Sequence, residues 1–322
     1  MIKYMLSQNI KKKIWLIIKV TLSLALLVFA FGKVNLDSNT YSQLFKFKYL
    51  FAGFLIIILS LVIQNLLHSL RLNLSAQIHN VELNFFDSFR ITHIAGFVGF
   101  TPAGIIGYEL MRINFLRTFT TYKNSISIIY LDRIVGLLAI AFVTLFSCSI
   151  ILKNTFHFGE FLFRFSLHYI FGFLLFTYIV FSIIISKSFI NSINNQKIKF
   201  FLNEIKFFLN ANKIIDLKLI SVSVVMAIIV PIALTLCSSF FLFETSISMI
   251  FVISLLGILV SIIPITVGGV GLRESAFIYI ANFFNQSSHE LFILSILLSI
   301  SIFIAYSPGF IFLLEGNRKK RI

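Results

Sequence analysis

The stretch LFAGFLIIILSLVI at Leu50–Ile63 holds no charge, and its side chains do not alternate between polar and apolar. A strand of a membrane barrel alternates with a period of two, one face toward lipid and one toward the lumen. An unbroken apolar run is instead the pattern of a helix in hydrocarbon, where about 20 residues cross the bilayer. Ile134–Leu145 reads the same way. The fold class is therefore an all-α membrane protein, a polytopic helical bundle.

Composition agrees along the whole chain. Of its 322 residues, 58% are hydrophobic and 12% charged, where a soluble domain carries about 25% charged residues. The mean hydropathy is +0.98. No long Gly- and Pro-rich linker divides residues 1–322, which read as one integral membrane domain. The formal net charge is +15, but the basic residues lie in loops and tails between apolar runs. Nucleic-acid binding needs a basic face on a soluble module, so no nucleic-acid partner is expected. Cys148 and Cys237 both sit inside apolar runs and suggest neither a disulfide framework nor a metal site. Lys11, Lys12 and Lys13 precede an apolar stretch longer than a signal-peptide core, so that stretch reads as a retained first span.

About six full spans are expected, at residues 14–32, 49–70, 124–152, 166–186, 217–243 and 291–314. Two further apolar segments are broken. Residues 87–108 contain Pro102, Gly104 and Gly107, and residues 248–285 contain Pro264, Gly268, Gly269 and Gly271. Pro and clustered Gly remove helical hydrogen bonds. Lipid tolerates such a break only where protein or water satisfies the freed groups. These are candidates for re-entrant or discontinuous helices, with the named Pro and Gly shaping a cavity.

Charge sorts the topologies. If the first broken segment enters and leaves on one side, Arg71, Arg90, Arg112, Arg117 and Lys123 fall on the same side as Lys3, Lys11, Lys12, Lys13, the lysines of 187–218 and the tail. The opposite side keeps only Lys33, Lys46, Lys48, Lys153 and Arg164. The positive-inside rule then places both termini in the cytoplasm, in a multi-pass protein of the inner (plasma) membrane. The second broken segment would enter from the other side. Two broken elements of opposite orientation point to an inverted repeat with a binding site where they meet. An ordinary eight-helix bundle with kinked spans is the other reading. Within 190–216, Ile198, Phe201, Leu202, Ile205, Phe208 and Leu209 form an apolar stripe beside lysines, as in a helix lying on the cytoplasmic leaflet or packing on its neighbours. Residues 316–322 form a basic tail.

Ionisable side chains at membrane depth are costly and mark functional candidates. Glu109 and Arg112 follow the first break one helical turn apart, Asp132 and Arg133 open the run Ile134–Leu145, and Arg273 and Glu274 follow the second Gly cluster. Neighbours in sequence do not face each other on a helix, so each adjacent pair should find partners elsewhere. One reading is a buried ion network that pins helices. The other is a substrate-binding site for an anion: a helix restarting after Gly271 offers free N–H groups, and arginine offers a planar fork suited to phosphate. A lipid phosphate is the natural anion at that depth. His68, His79, His93, His157, His168 and His289 show no metal-ligand spacing. No nucleophile–base set is evident, so no catalytic residue, cofactor or metal is expected.

Three motifs carry a family resemblance. They are Thr101-Pro102-Ala103-Gly104-Ile105-Ile106-Gly107-Tyr108-Glu109-Leu110-Met111-Arg112, then Leu131-Asp132-Arg133-Ile134-Val135-Gly136-Leu137, and Pro264-Ile265-Thr266-Val267-Gly268-Gly269-Val270-Gly271-Leu272-Arg273-Glu274. In order and spacing the chain resembles the lysylphosphatidylglycerol synthase transmembrane region, or flippase-like, family over about residues 10–316. Tyr108 stands where many members have Gly. The resemblance implies a membrane protein that binds or flips lipids, with a phospholipid or polyprenyl-phosphate lipid as its partner. Members with a cytosolic domain transfer lysine to phosphatidylglycerol. This chain ends in Arg318-Lys319-Lys320-Arg321, so aminoacyl transfer by it alone is not expected. Two other readings are a lipid- or polyprenyl-phosphate-modifying enzyme and an accessory subunit of a separate transferase. A second copy of the chain is a further candidate partner.

Overall fold

The computed structural model describes residues 18–30, 32–33, 47–101, 103–151, 213–241, 243–263 and 265–319. The expected span 166–186, the amphipathic segment up to residue 212, the last three tail residues, Pro102 and Pro264 lie outside the described residues. Within them every regular element is a helix: α1 (Ile18–Ala30), α2 (Phe47–Ile78), α3 (Phe85–Gly99), α4 (Gly104–Leu116), α5 (Tyr122–Ile151), α6 (Lys213–Phe240), α7 (Ile247–Ser261), α8 (Leu272–Phe283), α9 (Ser288–Tyr306) and α10 (Pro308–Lys319). Four runs are long and apolar enough to cross a membrane: Leu50–Ile78, Tyr122–Ile151, Ile215–Phe240 and Ser288–Glu315. The last is not straight. Pro308 lacks the N–H that would continue α9, and it opens α10 instead.

The broken segments are helical hairpins. Their arms α3, α4, α7 and α8 have 15, 13, 15 and 12 residues. At 1.5 Å per residue even the longest is about 22 Å, short of the ~30 Å hydrocarbon core. Close contacts weld the arms in pairs. Tyr108 packs on Gly99 in the first hairpin, and a side chain at Gly257 would overlap the Phe277 ring in the second.

Side-chain contacts fix the directions of the long helices. Gly53 of α2 lies against Cys237 of α6, Gln64 donates to the Met226 carbonyl at 3.4 Å, and Leu74 and Ile78 cluster with Leu219. The two helices are therefore antiparallel. Along α5, Leu131 and Val135 cluster with Leu219, and Val143 with Ala227, so α5 runs parallel to α6. Thus α2 ends and α5 begins at the same end of the bundle, and the hairpin between them is re-entrant. At the opposite end, the Glu290 carboxylate at the start of α9 accepts from the N–H groups of Glu244 and Thr245 at 2.8 and 3.0 Å. The second hairpin therefore enters from there. A long–short–short–long unit occurs twice, in opposite senses.

The hairpin tips meet. A Cβ added at Gly104 would lie 3.5 Å from the Thr266 carbonyl, and one at Gly268 would lie 3.0 Å from the Phe100 ring. Helix α1 braces the second tip, where Ser23 Oγ accepts from the Val267 N–H at 3.0 Å. Gly271 has φ +84° and lies so close to the Ser23 carbonyl that any side chain would collide with it. Glu274 completes the turn by accepting from the Gly271 N–H at 2.6 Å.

The α2–α6 register gives a direct test. Gly53→Cys, with Cys148→Ser, places a thiol against Cys237. After mild oxidation and denaturation, both thiols should resist maleimide–polyethylene glycol and recover on reduction. Persistent labelling of both would contradict the antiparallel pairing.

Candidate functional site

Asp132 of α5 is completely buried in the centre of the first repeat. An ionised carboxylate there survives only if its oxygens are fully engaged. Arg71 of α2 supplies a two-pronged contact, Nε to Oδ1 at 2.7 Å and a terminal nitrogen to Oδ2 at 3.1 Å. Arg112 of α4 donates to Oδ2 at 2.7 Å. His68, one turn before Arg71, lies 3.7 Å from the same oxygen and 3.1 Å from the Tyr108 hydroxyl. Gly136, one turn after Asp132, leaves room for this packing, because a side chain there would overlap the Arg71 guanidinium.

Arg133 follows Asp132 but turns to a different partner, as adjacency on a helix requires. It pairs with Glu109, which Arg112 also reaches at 3.4 Å. The exposure differs between the two pairs. The Arg112 side chain is 1% exposed and that of Arg133 is 32% exposed. One layer of the network is sealed, and the other faces open space.

That space is a cavity of about 380 Å³ where the repeats meet. The first hairpin contributes Phe100, Tyr108, Glu109 and Arg112 to its wall, and the second contributes Ser261, Ile262 and Gly268. Arg71, Asp132, Arg133 and Leu137 line it from α2 and α5, Pro231 from within α6, and Tyr306 from the end of α9. Leu137 keeps 37% of its surface exposed.

Of the expected binding residues, Glu109, Arg112, Asp132 and Arg133 come together on this wall, and Arg273 and Glu274 do not. The latter two are buried at the start of α8. Arg273 donates to the Gly268 carbonyl at 3.0 Å, and Glu274 binds the Gly271 N–H and the Ser299 hydroxyl. Their nearest role is to hold the second tip in shape. Of the expected cavity-shaping residues, Gly268 lines the cavity, while Gly104, Gly107, Gly269 and Gly271 shape the hairpin turns behind it.

Sequence reasoning missed Arg71 and His68. Arg71 was expected as a cationic flank just beyond a span ending at residue 70. Helix α2 instead continues to Ile78 and carries Arg71 inside, 8% exposed. The available signal was the His68–Arg71 spacing of three, which puts both on one helical face. Among the described residues, no group of three His, Cys, Asp or Glu side chains is placed to hold a metal ion.

A family model described as the lysylphosphatidylglycerol synthase TM region matches residues 16–308. The chain belongs to that family. The match covers both repeats and the charge network of the first, and it ties this multi-pass membrane protein to lipid handling. No curated protein and no solved structure matches the chain.

The two layers of the network should differ in energy. Asp132→Asn leaves Arg71 buried without a counter-charge and Arg112 with only its longer contact to Glu109, and should cost about 3–5 kcal/mol. Glu109→Gln acts at the exposed layer and should cost on the order of 1 kcal/mol. Thermal unfolding of the purified protein in detergent would order the two variants. Equal losses would contradict the layered assignment.

Proposed function

We propose that the protein binds, and carries across the membrane, a lipid whose phosphate-bearing headgroup sits in the central cavity. One observation supports this reading above the others: among the described residues, three guanidiniums and two carboxylates line the wall, an excess of one positive charge. An uncompensated cation at membrane depth is expensive, and a lipid phosphate offsets it. Arg133 makes the first contact through the half of its fork that Glu109 leaves open, while Arg112 and Arg71 supply the field behind it. Leu137 is an exposed apolar residue of the cavity wall, which suits a lipid whose acyl chains remain in the bilayer while the headgroup enters.

The opposed hairpins supply the route. Their tips pack against each other. Rocking one repeat against the other opens the cavity to each side in turn. The end carrying the loops after α2 and α4 faces the cytoplasm of a cell with a plasma or inner membrane, because the basic residues concentrate there. Both chain termini share that side. Phospholipid and polyprenyl-phosphate lipids both fit the anion chemistry.

Two experiments test this reading. In vesicles containing a headgroup-labelled phospholipid, the reconstituted protein should increase the fraction of label that an external reductant reaches, and Arg133→Ala should reduce that gain at least severalfold. Vesicles indistinguishable from protein-free controls would count against translocation, and absence of co-purified lipid would count against binding as well. For the orientation, single cysteines replace Thr118 and Gln286 in a background lacking Cys148 and Cys237. In intact cells an impermeant thiol reagent should label the Gln286 position and spare the Thr118 position. The reverse pattern would invert the assigned topology.

A further inference from the structure

Among the described residues, one group on the cavity wall is built to exchange a proton near neutral pH. Arginine stays charged there and a tyrosine hydroxyl stays neutral, which sets aside Arg71, Arg112, Arg133, Tyr108 and Tyr306. Both carboxylates carry an arginine on each oxygen, Arg71 and Arg112 on Asp132, and Arg112 and Arg133 on Glu109. Helices α3, α6 and α7 place no ionisable side chain on this wall. His68 of α2 remains, and its side chain is 14% exposed, so the cavity can supply its proton. The ring nitrogen Nε2 lies between two groups of different kind. The Tyr108 hydroxyl, 3.1 Å away, can donate to the bare nitrogen. Asp132 Oδ2, 3.7 Å away, can only accept, and it attracts the nitrogen once a proton is there. Each state of the imidazole thus has a partner in place.

We propose that His68 is a proton-binding site coupled to the lipid phosphate, so that a proton enters the cavity with the lipid. The proposal rests on the lipid-binding reading and adds the ion that accompanies the lipid. Charge counting carries it. The described wall sets three guanidiniums against two carboxylates. A proton on His68 alone raises the excess from one positive charge to two. With a phosphate monoanion already bound, the same proton is added to a wall whose charges balance. Each ligand therefore lowers the electrostatic cost of the other, in a space of low dielectric where such costs are large. Linkage makes the effect reciprocal: the proton tightens the lipid by the factor with which the lipid tightens the proton. Nε2 takes the proton from water on the side where the cavity is open and returns it to water when the lipid leaves, and no bond of the lipid breaks. A proton gradient across the membrane then biases which face loads the lipid.

The test uses the full-length purified protein in detergent with dioleoylphosphatidylglycerol, a phosphodiester whose own charge is constant between about pH 5 and about pH 8. The lipid should bind about fivefold or more tightly at the acid end, and its addition to weakly buffered protein should withdraw protons from solution, at most one per lipid bound. His68→Gln keeps a polar side chain but does not titrate in this range, and it should flatten the pH profile and abolish the uptake. Proton uptake by the unaltered protein is measured without any variant having to fold. In vesicles of dioleoylphosphatidylcholine with a trace of headgroup-labelled phosphatidylglycerol, an acidic interior should move label outward faster than an alkaline one. Lipid binding that is equal at both pH values and takes up no proton would overturn the coupling and leave the lipid reading standing, as would equal rates in the vesicles. A wild-type pH profile in His68→Gln would remove His68 as the site. Sulfate is the soluble-anion arm. Equal proton uptake with sulfate alone, and none with the lipid, would overturn the lipid reading.

Discussion

The buried carboxylate of Asp132 is the constraint on which the first repeat turns. It lies on α5, and the guanidiniums that keep it ionised come from α2 and α4. A charge at that depth tolerates no missing partner. All three helices must therefore hold their register together. Gly136 exists in that register to admit Arg71, and the break before α4 exists to bring Arg112 into reach. The re-entrant course of α3 and α4 follows, since an arm that continued through the membrane would carry Arg112 away from Asp132. The second repeat solves the same backbone problem with less charge. Its tip closes on itself through Arg273, Glu274 and the Gly268 carbonyl, and α1 covers it.

Because the repeats enter from opposite ends, their weak points coincide. Each hairpin gives up helical hydrogen bonding at its turn, and each turn packs on the other. Backbone that would be intolerable in lipid is satisfied by protein on one side and by an open cavity on the other. Among the described residues, the same junction places three guanidiniums and two carboxylates next to apolar side chains. Fold and candidate chemistry thus meet at one place for one reason: irregular backbone and buried charge both require shelter from hydrocarbon.

Much of this was legible in the chain. The uncharged run Leu50–Ile63 decided the class, and Pro and Gly clusters marked both breaks. The distribution of basic residues favoured a hairpin over a span for residues 87–108, and the directions of α2 and α5 agree with it. Glu109, Arg112, Asp132 and Arg133 stood out as charges in apolar surroundings. Arg71 did not, because a cation at the end of an apolar run looks like an interfacial anchor. Its pairing with Asp132 bridges 61 positions, and no local spacing encodes such a contact. For the same reason sequence grouped Arg273 and Glu274 with the other charges. Both follow a Gly-rich break, but only the three-dimensional path of α8 shows that they turn inward to the tip. The bend at Pro308 was hidden in an otherwise continuous apolar stretch.

An experimental map of the protein in a phospholipid nanodisc bears most directly on the central claim, that the charge excess at the hairpin junction is there for a lipid phosphate. The predicted result is headgroup density in the cavity, with a phosphate oxygen within hydrogen-bonding distance of the Arg133 guanidinium and acyl density leaving past Leu137. A cavity holding only water or apolar density, with the Arg133 fork closed entirely onto Glu109, would contradict the claim and leave these charges as an internal brace.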